Sequence, residues 1–203
     1  MPRNIPTETQ PLSTTRREIL TSALAGAGAM SFLPSAAVAG ATARSTKALP
    51  TGDIHDFDFF VGAWNSVNRR LKKRWVGSDD WDVFPNTIRW ESRMGGVVNI
   101  EEVDFATKGW SGMTVRTFNL AKPQWSLYWI NSQTGELFPP VVGGFSGDYG
   151  EFYGEDTDEG RPIKVVFRWT RLGADAAHWE QAFSLDSKHW ETNWMADHKR
   201  ATS

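Results

Sequence analysis

The chain has 203 residues, no Cys, 11 Trp, 12 Phe and 18 Gly, with a formal net charge of -2. The lack of Cys excludes disulfides, Cys-ligated zinc and thiol catalysis. The small net charge gives no general electrostatic case for nucleic acid, and the many aromatic residues favour an all-β domain.

The N-terminal segment is predicted to be an export signal. Residues 13–20, STTRREIL, resemble the twin-arginine signal of bacteria, and a Gly/Ala-rich apolar run and Ala37-Val38-Ala39, an A-x-A cleavage site, follow. The resemblance implies export of the folded protein by the twin-arginine translocase to the periplasm or exterior. An uncleaved N-terminal anchor is the alternative.

These features divide the chain into three parts. We expect residues 1–39 to be a removed signal peptide, residues 40–52 a flexible linker and residues 53–203 one folded domain. Cleavage after or near Ala39 would remove the apolar run, so we expect no stable membrane span in the processed protein. The run is also too short and too rich in Gly to span a bilayer comfortably.

The domain opens with a motif that suggests its fold. Residues 55–61, HDFDFFV, are predicted to form a short helical turn that plugs one end, and Gly62-Ala63-Trp64 then enters the first strand. This opening resembles the calycin superfamily of lipocalin-like barrels, in which the Trp closes the barrel floor. From about Phe57 to Arg200 the chain also resembles a bacterial family with this barrel and no assigned activity.

Ten alternating segments, separated by Gly, Asp and Pro turns, predict a closed antiparallel up-and-down β-barrel. A two-sheet sandwich is the alternative. The predicted strands cover residues 64–76, 80–92, 97–105, 112–119, 124–131, 137–145, 148–154, 162–171, 178–184 and 189–198.

The last hairpin is predicted to pair Phe183 with Trp190, Gln181 with Thr192, and Trp179 with Trp194 across a short loop. This places three large pairs on the inner face. Because a slip of one residue exchanges the two faces of a strand, another register stays open. That register would turn inward Arg116, Tyr128, Arg168, Glu180, Glu191 and Asn193.

Turning the more apolar face of each strand inward predicts an aromatic interior with a few polar groups. Arg70 would then either pair with Glu101 or Glu151, or bind the acid group of a ligand, since an isolated buried charge is costly. The candidate ligand-binding residues are Asn68, Arg70, Asn99, Glu101, Trp129, Glu151, Tyr153, Trp169, Gln181 and Trp194.

Three functions remain open from the sequence. The first is a barrel that binds a small apolar or amphipathic molecule, which is what the calycin resemblance implies. The second is an isomerase- or cyclase-like enzyme that uses Glu101 and Glu151 as an acid/base pair. The third is a structural barrel packed solid with Trp.

No cofactor or metal site is predicted, because the four His residues lack the spacing of a zinc site. Some heme-binding barrels of the calycin superfamily use a His as the iron ligand. His198, near the end of the last strand, is the candidate for that alternative, although no motif marks it.

Overall fold

The computed structural model describes residues 48–202, so the predicted signal peptide and residues 40–47 of the predicted linker lie outside the described residues. The described part begins with an extended segment that packs on the barrel. Gly52 N donates a hydrogen bond to Pro123 O at 2.9 Å, and the side chain of Gln124 donates to Pro50 O at 3.2 Å. Contact with the barrel therefore begins before the predicted domain start at Asp53.

Ten antiparallel strands form a closed barrel in which every strand pairs with its neighbours in sequence and β1 pairs with β10. This confirms the predicted all-β, up-and-down architecture; the alternative sandwich is wrong. The strands are β1 (Gly62–Leu71), β2 (Trp81–Arg93), β3 (Val98–Phe105), β4 (Trp110–Asn119), β5 (Gln124–Asn131), β6 (Val141–Ser146), β7 (Tyr149–Asp158), β8 (Arg161–Arg171), β9 (Ala176–Ser184) and β10 (Glu191–Arg200).

The helices in residues 48–202 are three short 3-10 turns, Asp58–Phe60, Met94–Gly96 and Ala106–Lys108. None of them is long and apolar enough to cross a membrane. The first, with the turn before it, lies where the sequence predicts a helical plug.

Aromatic rings close the end of the barrel at which β1 begins. Phe57 and Phe60 are buried there, and the ring of Phe57 meets Trp125 edge-on at a centroid distance of 5.0 Å. Trp64 is buried beside them and donates its indole N–H to Phe60 O at 2.7 Å. This hydrogen bond satisfies the polar atom of a large buried ring, so Trp64 can close the floor as the sequence predicts.

The last hairpin pairs differently from the prediction. Gln181 lies opposite Trp194, Ala182 lies opposite Thr192, and Asn193 forms a bulge between the two pairs. Because the bulge adds one residue to β10, the side chains after it point to the opposite face from the one that strict alternation predicts. Trp194 therefore faces inward, while Thr192 shares the outer face with Ala182. Trp190 contacts Tyr153 with a ring distance of 6.3 Å, and its predicted place opposite Phe183 is taken by Glu191.

Strands β6 and β7 approach each other very closely at Gly143. A Cβ atom at this position would lie 1.9 Å from the carbonyl oxygen of Glu151, which is far inside any real contact. Glycine is therefore required here because of space, and the backbone oxygen of β7 has no rotamer by which to move away.

We predict that Gly143→Ala forces β6 and β7 apart and lowers the free energy of unfolding by roughly 3 kcal/mol, as overpacking does elsewhere. Ser146→Ala, at the exposed end of the same strand, is the control and should change stability little. Urea unfolding followed by tryptophan fluorescence measures both. Equal stability of the two variants would contradict the proposed close contact.

Candidate ligand-binding cavity

A cavity of about 260 Å³ lies inside the barrel above the aromatic floor. It exceeds the ~150 Å³ apolar cavity that is known to hold a benzene molecule. The predicted structural barrel packed solid with Trp therefore does not form. The cavity's aromatic lining is contributed by Phe105, Trp110, Trp129, Phe138, Phe167, Trp169, Trp179, Phe183 and Trp194.

The β1–β2 connection, residues 72–80, folds across the end of the barrel opposite the floor. Arg74 Nη2 lies 2.6 Å from Asp158 Oδ1, and the indole N–H of Trp75 donates to Asp158 Oδ2 at 2.7 Å. The backbone N–H of Trp75 donates to the carboxylate of Glu191 at 2.9 Å. Burial alone would raise the pKa of Asp158, but the hydrogen bonds from Arg74 and Trp75 outweigh it and hold that pKa below its usual range.

Arg70 lines the cavity and extends over the ring of Trp194, with the guanidinium carbon 4.7 Å from the ring centroid. Within residues 48–202, no carboxylate lies within ion-pair distance of its guanidinium. Burial, and then the positive charge of Arg74, lower the pKa of Arg70. The predicted internal pairs of Arg70 with Glu101 or Glu151 are therefore wrong.

Glu101 pairs instead with Arg116, deeper in the barrel. The side chain of Arg116 is only 1% exposed; it donates to the Glu101 carboxylate and, at 3.2 Å, to Asn99 Oδ1. Its guanidinium carbon also lies 4.1 Å from the centroid of Trp90. Burial lowers the pKa of Arg116 and the charge of Glu101 opposes that shift, so the carboxylate stabilises the buried cation.

His198 lies at the deep end of the cavity and is only 5% exposed. Its Nδ1 is 2.6 Å from Ser66 Oγ, and its ring stacks on Trp169 at 5.2 Å between centroids. Burial lowers the pKa of His198 to about 3, so the imidazole is neutral at physiological pH. Its Nε2 is buried and has no hydrogen-bond partner among residues 48–202.

Most of the predicted site residues meet in this cavity. Asn99 is buried next to Arg116 but does not line the cavity, and Glu151 and Tyr153 lie outside it. The predicted residues that line the cavity are Asn68, Arg70, Glu101, Trp129, Trp169, Gln181 and Trp194.

The inward prediction for Glu151 and Tyr153 is wrong because β7 turns its other face inward. Phe152 between them is fully buried in the core, whereas Glu151 pairs with Arg168 at 3.6 Å. Gly150 is required beside Phe152, since a Cβ there would lie 2.9 Å from the ring of Phe145. The predicted acid/base pair of Glu101 and Glu151 cannot form, because the two carboxylates lie on opposite faces of the barrel wall.

The alternative register is only partly right. It correctly turns Arg116 inward, and Asn193 is buried in the bulge, where it accepts a hydrogen bond from the Gln181 side chain at 2.8 Å. Arg168 and Glu180, however, pair with each other at 3.6 Å, outside the cavity.

The sequence analysis assigned no ligand-binding role to Ser66 or Trp110, and it considered His198 only as a heme ligand. The alternation of β1, in which Trp64 and Asn68 face inward, was a signal that could have found Ser66.

The heme alternative stays a prediction. The unpartnered Nε2 of His198 is the type of atom that ligates heme iron. Within residues 48–202, no group of three or more His, Asp or Glu side chains is placed to hold a metal ion.

Comparison of the chain with protein-family models and with curated proteins found no match.

We predict that Glu101→Gln lowers the free energy of unfolding by about 3 kcal/mol or more, because it leaves the buried Arg116 charge uncompensated. The double variant Glu101→Leu/Arg116→Met removes both charges and should recover much of this loss. Chemical denaturation measures both variants. A double variant no more stable than Glu101→Gln would contradict a compensating pair.

We predict a specific dependence of stability on pH from His198. Unfolded His binds a proton near pH 6.5, whereas folded His198 does so only near pH 3. The unfolded state thus binds more protons between these values, so acidification from pH 6.5 toward pH 3 should lower stability by up to about 1.4 kcal/mol per pH unit from this group. The contribution should be fully restored above pH 6.5.

The double variant Ser66→Ala/His198→Phe removes this titration and replaces both side chains with apolar ones of roughly similar size. Its free energy of unfolding should fall less steeply between pH 6 and pH 4 than that of the wild type. Parallel curves for the two proteins would show that His198 is not buried in its neutral form.

Proposed function

We propose that the protein binds a small amphipathic molecule with an acid group inside its barrel. The apolar part of the ligand would pack against the aromatic wall, and its acid group would bind Arg70. The single observation that carries this proposal is that Arg70 lines the cavity without a carboxylate partner within residues 48–202.

The other cations that line the cavity differ from Arg70 in this respect. Arg116 is matched by Glu101, and Arg74 is matched by Asp158. A partly buried guanidinium loses hydration, and the charges of Asp158 and Asp82 act on Arg70 only from beyond ion-pair distance. A carboxylate ligand would restore it through charge-assisted hydrogen bonds, which are among the strongest that a binding site can offer.

The ring of Trp194 supports the same role for Arg70. Trp194 donates its indole N–H to Asn68 Oδ1 at 2.9 Å, and Asn68 donates to Asn86 Oδ1 at 3.0 Å. These bonds fix the ring on which Arg70 lies, so the guanidinium is held in place before a ligand arrives. Such preorganisation lowers the entropy cost of binding.

We also propose that the protein is exported by the twin-arginine translocase and belongs to the lipocalin-like barrels. The Arg16-Arg17 pair, the apolar run and the A-x-A site support export, and the closed ten-stranded barrel is compatible with the wider superfamily. Native mass spectrometry of the exported fraction, beside the same sample denatured, would give both the processed mass and any bound molecule. A mass that includes residues 1–39 would argue against processing.

We predict that Arg70→Gln weakens the binding of decanoate, a probe with one carboxylate and an apolar chain, by about 10- to 100-fold. This factor corresponds to the loss of hydrogen bonds to a charged group. The loss should be smaller for decanol, which has the same chain without the charge. Titration of the purified full-length chain, followed by tryptophan fluorescence, measures each dissociation constant.

Arg69→Gln is the matched control, because Arg69 is the adjacent residue on β1 and pairs with Asp197 outside the cavity. It should leave the affinity for decanoate unchanged. Wild-type affinity for decanoate in Arg70→Gln would remove Arg70 from the site.

A further inference from the structure

The aromatic rings that line the cavity fall into two groups. Most of them pack on other rings of the described chain, as Phe105 does on Trp110 at 4.1 Å between centroids. Trp129 and Phe138 line the same cavity, yet within residues 48–202 neither ring pairs with another aromatic ring or lies under a cationic side chain. Their aromatic surface is therefore left without a matching partner.

Trp129 and Phe138 are neighbours on one part of the barrel wall. The backbone N–H of Phe138 donates to Trp129 O at 2.9 Å, next to the antiparallel bridge between Ile130 and Leu137. Side chains at such opposite positions start about 5 Å apart on the same face. Both side chains are only partly buried, so a molecule in the cavity can reach their rings.

Gly112 on β4 makes room for the ring of Trp129. A Cβ atom at Gly112 would lie 2.0 Å from Trp129 Cη2 and 2.3 Å from Trp129 Cζ2, closer than any real contact. The six-membered part of the indole thus lies against the backbone of β4. Because a ring held at the wall loses little further freedom when a ligand arrives, Trp129 is preorganised to bind one.

We infer that the apolar part of the ligand contains an aromatic ring that packs on Trp129, so that the cavity is built for an aromatic acid rather than an aliphatic one. This inference deepens the proposed function and depends on it. Two aromatic rings attract each other beyond the area that they bury, because the positive edge of one meets the negative face of the other. A saturated group of the same size would bury a similar area at Trp129 without this attraction.

The order of the strands places Trp129 across the cavity from the residue proposed to bind the acid group. In the closed order of the ten strands, β5 lies five places from β10, so Trp129 and Trp194 belong to opposite walls. Arg70 extends over Trp194. A ligand that spans the cavity then has its acid group at Arg70 and its aromatic ring on Trp129. An arylalkanoic acid, in which a few methylene groups join a ring to a carboxylate, has this arrangement.

The test compares 4-phenylbutanoate with 4-cyclohexylbutanoate, two acids that differ only in whether the ring is aromatic. The cyclohexyl acid is the more hydrophobic, so a cavity that recognises apolar area alone binds it at least as tightly. The wild-type full-length chain is expected to bind the phenyl acid about three- to tenfold more tightly, as a contact between two rings predicts. Isothermal titration calorimetry measures each dissociation constant.

Variants of Trp129 assign the preference to this ring. Trp129→Leu should abolish the preference for the phenyl acid, whereas Trp129→Phe keeps a ring and should keep part of it. Trp190→Leu, at a tryptophan that packs on Tyr153 outside the cavity, is the matched control and should keep the wild-type ratio of affinities.

Intermolecular NOEs between the phenyl protons and the indole protons of Trp129 are expected in the wild type and need no variant. Wild-type binding of the cyclohexyl acid that is equal to or tighter than that of the phenyl acid would overturn this inference while leaving the proposed function intact. A preference that persists in Trp129→Leu, the lack of these NOEs, or binding of decanoate but of neither ring acid would also overturn it. Failure of all three acids to bind would overturn the proposed function itself.

Discussion

The pairing of Arg116 with Glu101 is the constraint on which the rest of the interior depends. A full positive charge lies inside the barrel, against the ring of Trp90 and over the ring of Phe57 in the floor. Because such a charge is tolerated only with a carboxylate, Glu101 is committed to Arg116. Arg70, nearer the open end, then has no carboxylate within ion-pair distance in the described part of the chain. The deep ion pair thus decides which arginine can bind a ligand.

The seam between β1 and β10 brings the first and last strands of the barrel together and builds both ends of the candidate site. It closes the sheet, so that neither strand is left with an unpaired edge. The same seam places the Ser66–His198 pair at the deep level and the Arg70–Trp194 stack at the outer level. Closure of the barrel and formation of the site therefore use the same backbone hydrogen bonds, although the residues are more than 120 positions apart in sequence.

Space, rather than hydrophobicity, explains where the inward faces differ from the prediction. On β7, Glu151 and Tyr153 alternate with Gly150 and Phe152, and the predicted inward face was chosen as the more apolar one. The other face is inward, and it is crowded there: a Cβ at Gly150 would lie 2.9 Å from the ring of Phe145. On β10 the bulge at Asn193 shifts the alternation by one residue, so that Trp194 faces inward although Thr192 does not.

The sequence by itself determined the ten strands, their antiparallel order and the aromatic interior, because alternation and turn residues are local signals that survive without knowledge of partners. It also turned Asn68, Arg70 and Trp194 inward correctly. Asn68 and Arg70 follow the alternation of β1, whereas Trp194 faces inward because the bulge at Asn193 offsets the wrong prediction for Thr192. Only the tertiary structure decided that Glu101 pairs with Arg116, that Glu151 lies outside and that His198 is buried, with one ring nitrogen that has no partner among residues 48–202. The physical reason is that charge pairing and side-chain space depend on strands that are distant in the chain, and a single extra residue in one strand reverses its faces.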